Sequence, residues 1–279
     1  MGKFAAGDLV SRKSYDDDVV FKVIKTFVNG SGIEMAELKG LDIRLAADAP
    51  LTDLKKLGEE QLQLYREHYL KRHCPQLARC FNSRQRVVGE SPDFFALPGR
   101  VLHLDGDPEY MKLCLAAYSK LKLQAWGYAV PEQKQPTVVL ELLRIHLPDI
   151  LVLTGHDGLI RSKGNLSDLK NYHNSSYFVE GVKKARQFEL GTDSLFIFAG
   201  ACQSYYEALI EARANYASSP QRVMIHALDP VVVVEKIAFT PYMETVNVPE
   251  LVSNTITGPE GIGGIESQGK HRNGWPKTS

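Results

Sequence analysis

The sequence predicts an α/β protein: a parallel-rich sheet with helices on both faces, preceded by a small N-terminal β-barrel-like domain. Three observations carry this. From Arg100 onward, short apolar runs alternate with amphipathic stretches of helical length, the pattern of repeated strand–helix units. Two of those runs, DILVLTG ending at Gly155 and SLFIFAGA ending at Ala201, are apolar nearly throughout, as strands buried on both faces of a sheet are. Before residue 57 the pattern differs, with short β-branched and aromatic runs separated by Asp- and Gly-rich turns.

Residues 1–57 form the barrel-like unit. GDLVSRKSY and DVVFKVIKTFV are its first strands, and Asn29–Gly32 (NGSG) is a hairpin turn. GIEMAELKG and DIRLAA continue the alternation, and the unit carries no catalytic constellation. Residues 58–99 are a charged helix with a ragged apolar stripe, followed by a mobile linker that mixes Pro, Gly, Ser and Arg without periodicity. Residues 100–257 are the α/β domain. Strand RVLHL ends in Asp-Gly-Asp, and Pro108 opens the helix PEYMKLCLAAYSKL. Strand QAWGYAV, helix QPTVVLELLRIHLP and strand DILVLTG follow. Next come a mostly helical stretch over 167–188, strand SLFIFAGA, a helix over SYYEALIEARANYA, and strands RVMIHAL and VVVVEKIAF. Residues 258–279 read as a Gly-rich C-terminal tail, a mobile flap or a frayed end.

Lys plus Arg and Asp plus Glu both number 33, so no basic excess marks a nucleic-acid partner. No run approaches the roughly 18 apolar residues of a membrane helix, and no N-terminal apolar core reads as a secretory signal. These features predict a protein kept inside the cell, without membrane insertion. Four cysteines without a CxxC spacing give neither a disulfide scaffold nor a zinc site. Cys74, Cys80 and Cys114 read as small buried hydrophobes, and His103 reads as structural.

In open parallel sheets, sites form past the carboxyl ends of the strands. There the sequence places Asp105 and Asp107, then His156, then Cys202. A cysteine nucleophile needs a thiolate, which an imidazole can generate or stabilise. The small residues around Cys202 let a substrate backbone approach, and a helix starting near Gln203 would lower the thiol pKa. A competing arrangement uses Cys202 with His226 and Asp229, as in Cys–His–Asp amidases and amidotransferases, although the Gly-x-Cys-x-Gly elbow lacks its last glycine. A non-catalytic scaffold that binds through its N-terminal unit is the third reading.

An apolar strand ending in His and Gly, a helix, and an apolar strand ending in Ala-Cys resemble the caspase-like cysteine peptidases over roughly residues 100–240. LPGRVLHLDGDPEYMKLC, LVLTGHDG, IFAGACQSYYEALIEARANYASSP, IHALDPV, AFTPYMETVNV and GIGGIES extend a resemblance over nearly the whole chain to the YabG family of sporulation-specific cysteine proteases. That resemblance implies a cysteine endopeptidase cutting after arginine, with His156 and Cys202 as the catalytic pair. Its partners would be protein substrates, namely spore coat proteins and germination precursors. Its place would be the sporulating cell, in mother-cell cytoplasm or spore coat. The oxyanion hole would use N–H groups of Cys202 and of Asp157 or Gly158, because Asp157 stands between His156 and the glycine. Asp105, and after it Asp107, would receive the arginine; independently of the resemblance, His226 or Asp229 would line the substrate groove. The chemistry calls for no metal or cofactor. Arg84 and Arg86, in the linker NSRQR, are candidate self-cleavage sites.

Overall fold

The computed structural model describes residues 4–41, 43–65, 94–160 and 165–276. The N-terminal strands are β1 (Leu9–Arg12), β2 (Phe21–Val28), β3 (Glu34–Gly40), β4 (Ala46–Pro50) and β5 (Leu54–Lys56). They form an antiparallel sheet in the order β4-β3-β2-β1-β5. Alternation builds its core: Phe21, Val23, Ala36, Leu38 and Ala49 point to one side and are buried with Val10 and Leu54. The predicted turn at Asn29–Gly32 is present, with the Asn29 Oδ1 accepting from the N–H groups of Ser31 and Ile33.

One N-terminal expectation is corrected. Only Ala46 and Ala47 of DIRLAA join the sheet, as the start of β4. Ile43 and Leu45 instead make isolated bridges to His226 and Asp157 in the second half of the chain.

The larger sheet is built from β7 (Val101–Asp105), β8 (Ala125–Ala129), β9 (Ile150–Thr154), β10 (Phe196–Ala199), β11 (Tyr216–Ser218) and β13 (Ile262–Gly264). Its order is β13-β11-β10-β9-β7-β8. All neighbours are parallel except the β11–β13 pair. Small pairs join β12 (Thr245–Val246) to β14 (Ser267–Gln268), and β6 (Phe95–Leu97) to β15 (Arg272–Gly274). The residues of 258–276 thus supply an edge strand of the main sheet as well as two smaller pairings.

The helices packed about the larger sheet are α1 (Pro108–Lys120), α2 (Gln135–His146), α3 (Ser175–Phe188), α4 (Tyr206–Glu211), α5 (Asp229–Phe239) and α6 (Val248–Asn254). Alternate strand residues serve opposite faces. Val101, Ile150, Val152, Phe196 and Phe198 pack with α1, α5 and α6. Leu102, Leu104, Leu151, Leu153 and Ile197 pack with α2, α3 and α4.

Three boundaries differ from the sequence reading. The helix expected through Ala217 stops at Glu211, since Arg213 takes a left-handed φ of 76° and frees Tyr216–Ser218 to pair as β11. RVMIHAL is a loop. VVVVEKIAF is helix α5, entered through Asp229-Pro230. Its valines are buried on every side, against α1, α6 and β9, so a helix there can be apolar all round. Arg84 and Arg86 lie outside the described residues.

Candidate active site

Strands β9 and β10 pair in parallel with Leu153 opposite Ala199. His156 and Cys202 each stand three residues past that pair, at the same edge of the sheet, and both are fully buried. Parallel register brings them together from positions far apart in sequence.

The His156 N–H donates to Glu132 Oε1 at 2.8 Å. Its Nε2 lies 3.4 Å from the Gly40 carbonyl oxygen and 3.9 Å from Asp107 Oδ2. The ring stacks on Tyr110 at 5.2 Å, and its buried Nδ1 has no partner among the described residues. Burial, then the nearby charge of Lys39, lowers the imidazole pKa to about 4. Burial likewise pushes the Cys202 thiol up to about 12, against the Ile225 N–H that approaches Sγ at 3.2 Å. The expected helix effect on the thiol is absent: α4 starts at Tyr206 and is only 6 residues long. As folded, the pair is neutral.

This gives a pH prediction. An unfolded histidine titrates near 6.5, whereas His156 stays neutral in the fold down to about pH 4. The unfolded chain then binds the extra proton, so stability is complete above pH 6.5 and falls as pH drops toward 4. The loss from this residue is about 3 kcal/mol. With Cys202 replaced by alanine in both chains, denaturant unfolding at pH 7 and pH 4 should show His156→Gln losing about that much less than the chain that keeps His156.

The predicted arginine-binding carboxylate, Asp105, ends β7 and is fully buried. It accepts from the Asp107 N–H at 2.9 Å and from Thr154 Oγ at 2.9 Å. His103 Nε2 also lies 3.6 Å from its Oδ2, and a further partner is one that residue patterns do not reveal. The guanidinium of Arg44, itself fully buried, donates from Nη1 to Asp105 Oδ2 at 2.6 Å. From Nη2, Arg44 donates to the Ala227 carbonyl at 3.0 Å and to Cys114 Sγ at 3.6 Å. The group lies over the Tyr110 ring at 4.9 Å. Burial works against both charges, but each outweighs it for the other: Arg44 is held above its ordinary pKa and Asp105 below. His103 is structural as expected, bonded to Tyr118 and Thr154. The ligand atoms of His103, Asp105 and Cys114 lie within 4.8 Å of one another, close enough to share a cation. The Arg44 guanidinium already donates to Asp105 and Cys114.

The backbone of the same arginine is held as firmly. Its carbonyl oxygen accepts from the Cys202 N–H at 3.1 Å and from the Asp157 N–H at 3.0 Å. On one side Ile43 bridges His226 in antiparallel fashion; on the other Leu45 bridges Asp157 in parallel fashion. The Ala46 N–H then donates to the Asp157 carbonyl at 2.7 Å. At Gly158 a Cβ would stand 2.2 Å from the Ala46 oxygen, so this close approach requires glycine.

The remaining expectations separate. Of the two N–H groups offered beside Cys202, that of Asp157 reaches the Arg44 oxygen, while Gly158 donates to the Asp157 carboxylate at 2.8 Å. The Asp157 side chain also accepts from Ser175 and Ser204, which fixes the loop after β9. Asp107 does not meet the arginine: it caps α1, accepting from the Glu109 N–H at 2.8 Å, and faces His156. Asp229 is corrected from groove to framework. Its buried oxygens accept from the N–H groups of His226, Ile256 and Thr257 and from the Thr257 hydroxyl. His226 accepts the Leu228 N–H on Nδ1, so Asp229 meets His226 through its backbone. Sequence reasoning misses Arg44, Glu132 and Tyr110. The one signal that could point to Arg44 is its place between Ile43 and Leu45, in a chain whose resemblance implies arginine binding.

What lies across these strand ends is a stretch of polypeptide, gripped through its main chain on both sides of one residue. An edge that holds extended polypeptide against a histidine and a cysteine is that of a peptidase. Residues 5–276 match the model of the YabG peptidase U57 family, and the chain belongs to that family. It is 42% identical, over 289 aligned residues covering 99% of each chain, to the sporulation-specific protease YabG of Bacillus subtilis (strain 168). No helix among the described residues is long and apolar enough to cross a membrane.

Proposed function

We propose that the chain is a cysteine endopeptidase of caspase-like architecture that cuts polypeptides after arginine during sporulation. The observation that carries this is the seating of Arg44, with its guanidinium on Asp105 and its carbonyl oxygen between two backbone N–H groups. A substrate arginine would take the same place. Cys202 Sγ adds to the carbonyl carbon, and the Cys202 and Asp157 N–H groups hold the developing oxyanion. His156, through its unpartnered Nδ1, passes the proton to the leaving amine. Water then hydrolyses the thioester. Asp105 supplies selectivity, because a guanidinium fork also reaches the Ala227 carbonyl, which a lysine ammonium does not match. The N-terminal sheet serves as a barrel-like binding module. The substrates are coat proteins and germination precursors, met in the mother-cell cytoplasm or the spore coat.

The test is a panel of fluorogenic peptides differing only in the residue before the cut. Arginyl peptides should be cut at least ~10-fold faster than lysyl ones, and an iodoacetamide-type reagent should abolish the activity. Equal cleavage of arginyl and alanyl peptides would sink the specificity. Activity that survives alkylation of Cys202 would sink the mechanism.

A further inference from the structure

We infer that residues 43–46 fill the catalytic groove as a bound peptide, so that the groove is occupied by its own chain until the Arg44–Leu45 bond is cut. This rests on the endopeptidase reading and names one substrate and a form of control for that site.

β3 ends at Gly40 and β4 starts at Ala46, yet Ile43 and Leu45 between them lie at the carboxyl edge of the larger sheet. Arg44 then buries a charge completely, which is costly unless the partner is prepared. Here every element of the preparation belongs to the groove. The guanidinium meets Asp105 and Ala227, and the carbonyl oxygen meets Cys202 and Asp157. Ile43 and Leu45 extend along His226 and Asp157, one before and one after the arginine. The Tyr110 hydroxyl lies 2.9 Å from both the Gly40 and Ile43 carbonyl oxygens and donates its one proton to either, holding the approach to the arginine. A merely structural ion pair would need the side chain placed, but not the carbonyl oxygen between those two N–H groups nor extended main chain on both flanks.

The reaction balances as ordinary hydrolysis. The Cys202 sulfur forms a bond to the Arg44 carbonyl carbon while its proton moves by way of His156. The C–N bond to Leu45 breaks, and Leu45 leaves as a free amine carrying that proton. Water then releases Arg44 as a carboxylate and restores the thiol. Until this happens the segment covers Cys202 and His156, both fully buried, and excludes other substrates. Afterwards β3 and β4 belong to different chains, still joined by the ladder from Met35–Pro50 to Lys39–Ala46. The new carboxylate can leave the groove.

The experiment follows wild type, Cys202→Ala, Arg44→Lys and Arg44→Ala by intact mass and N-terminal sequencing, with an arginyl peptide assayed in the same samples. Wild type should separate into residues 1–44 and 45–279, with Leu45 as the new N-terminus and a rate unchanged by tenfold dilution, as an intramolecular step requires. Cys202→Ala should stay whole and Arg44→Ala should not be cut there. Arg44→Lys, which keeps a positive charge facing Asp105, should fold by thermal unfolding and be cut at least ~10-fold more slowly. Wild type that hydrolyses the peptide while its Arg44–Leu45 bond stays intact overturns the inference and leaves the endopeptidase standing. Wild type that cuts neither overturns both. The same cut in Cys202→Ala would assign it to another protease and overturn the inference too.

Discussion

Replacing Cys202 by alanine is expected to lower kcat/KM on an arginyl peptide by about 10⁴-fold or more, while shifting stability by only about 1 kcal/mol. In the proposed mechanism the Cys202 sulfur is the nucleophile, next to the N–H groups of Cys202 and Asp157 that receive the Arg44 oxygen, so its removal should leave binding without bond formation. His156→Ala is expected to fall nearly as far, since members of one catalytic unit do not contribute additively. The measurement is steady-state cleavage with each variant at equal folded concentration. Retained activity in His156→Ala would move the proton-transfer role elsewhere. His226 would be the first candidate, although its Nδ1 already accepts the Leu228 N–H.

Asp105→Ala is expected to act twice. In the uncut chain it leaves the Arg44 guanidinium buried without its countercharge, which should cost about 3–5 kcal/mol. Denaturant unfolding in a Cys202→Ala background, where the chain cannot cut itself, reads this directly. In the active enzyme the same change should reduce preference for arginyl over neutral peptides by about 10- to 100-fold, the worth of one charged hydrogen bond of about 1.5–3 kcal/mol. Asp105→Asn keeps the shape and removes the charge, so it should reproduce most of the loss. A stability change below about 1 kcal/mol would mean that Arg44 does not sit where these distances place it.

Much of the fold and the site is legible in the residues themselves. Period-two apolar runs give strands, fully apolar runs give central parallel strands, and both follow from burial on one face or two. The carboxyl-edge rule then points to Asp105, His156 and Cys202. The segments that read wrongly are those where tertiary burial overrides local preference. The valines of Val231–Val234 favour a strand by propensity, yet they are helical because apolar neighbours enclose them on every side. Asp229 looks available for substrate, yet the N–H groups of two loops claim it.

By itself the sequence determined the strand–helix alternation from Arg100 to β10, the main sheet's apolar strands and the placement of Asp105, His156 and Cys202 at or just past their ends, because each is set by residue type and local period. Tertiary structure alone decided which residues those ends hold. Arg44 is 61 residues from Asp105 and more than twice that from Cys202. Its charge is accommodated because chain folding delivers the Asp105 carboxylate and the Ala227 carbonyl to its guanidinium, while the Cys202 and Asp157 N–H groups meet its main-chain oxygen. No local pattern encodes that convergence, since it arises from the packing of one sheet against the edge of another.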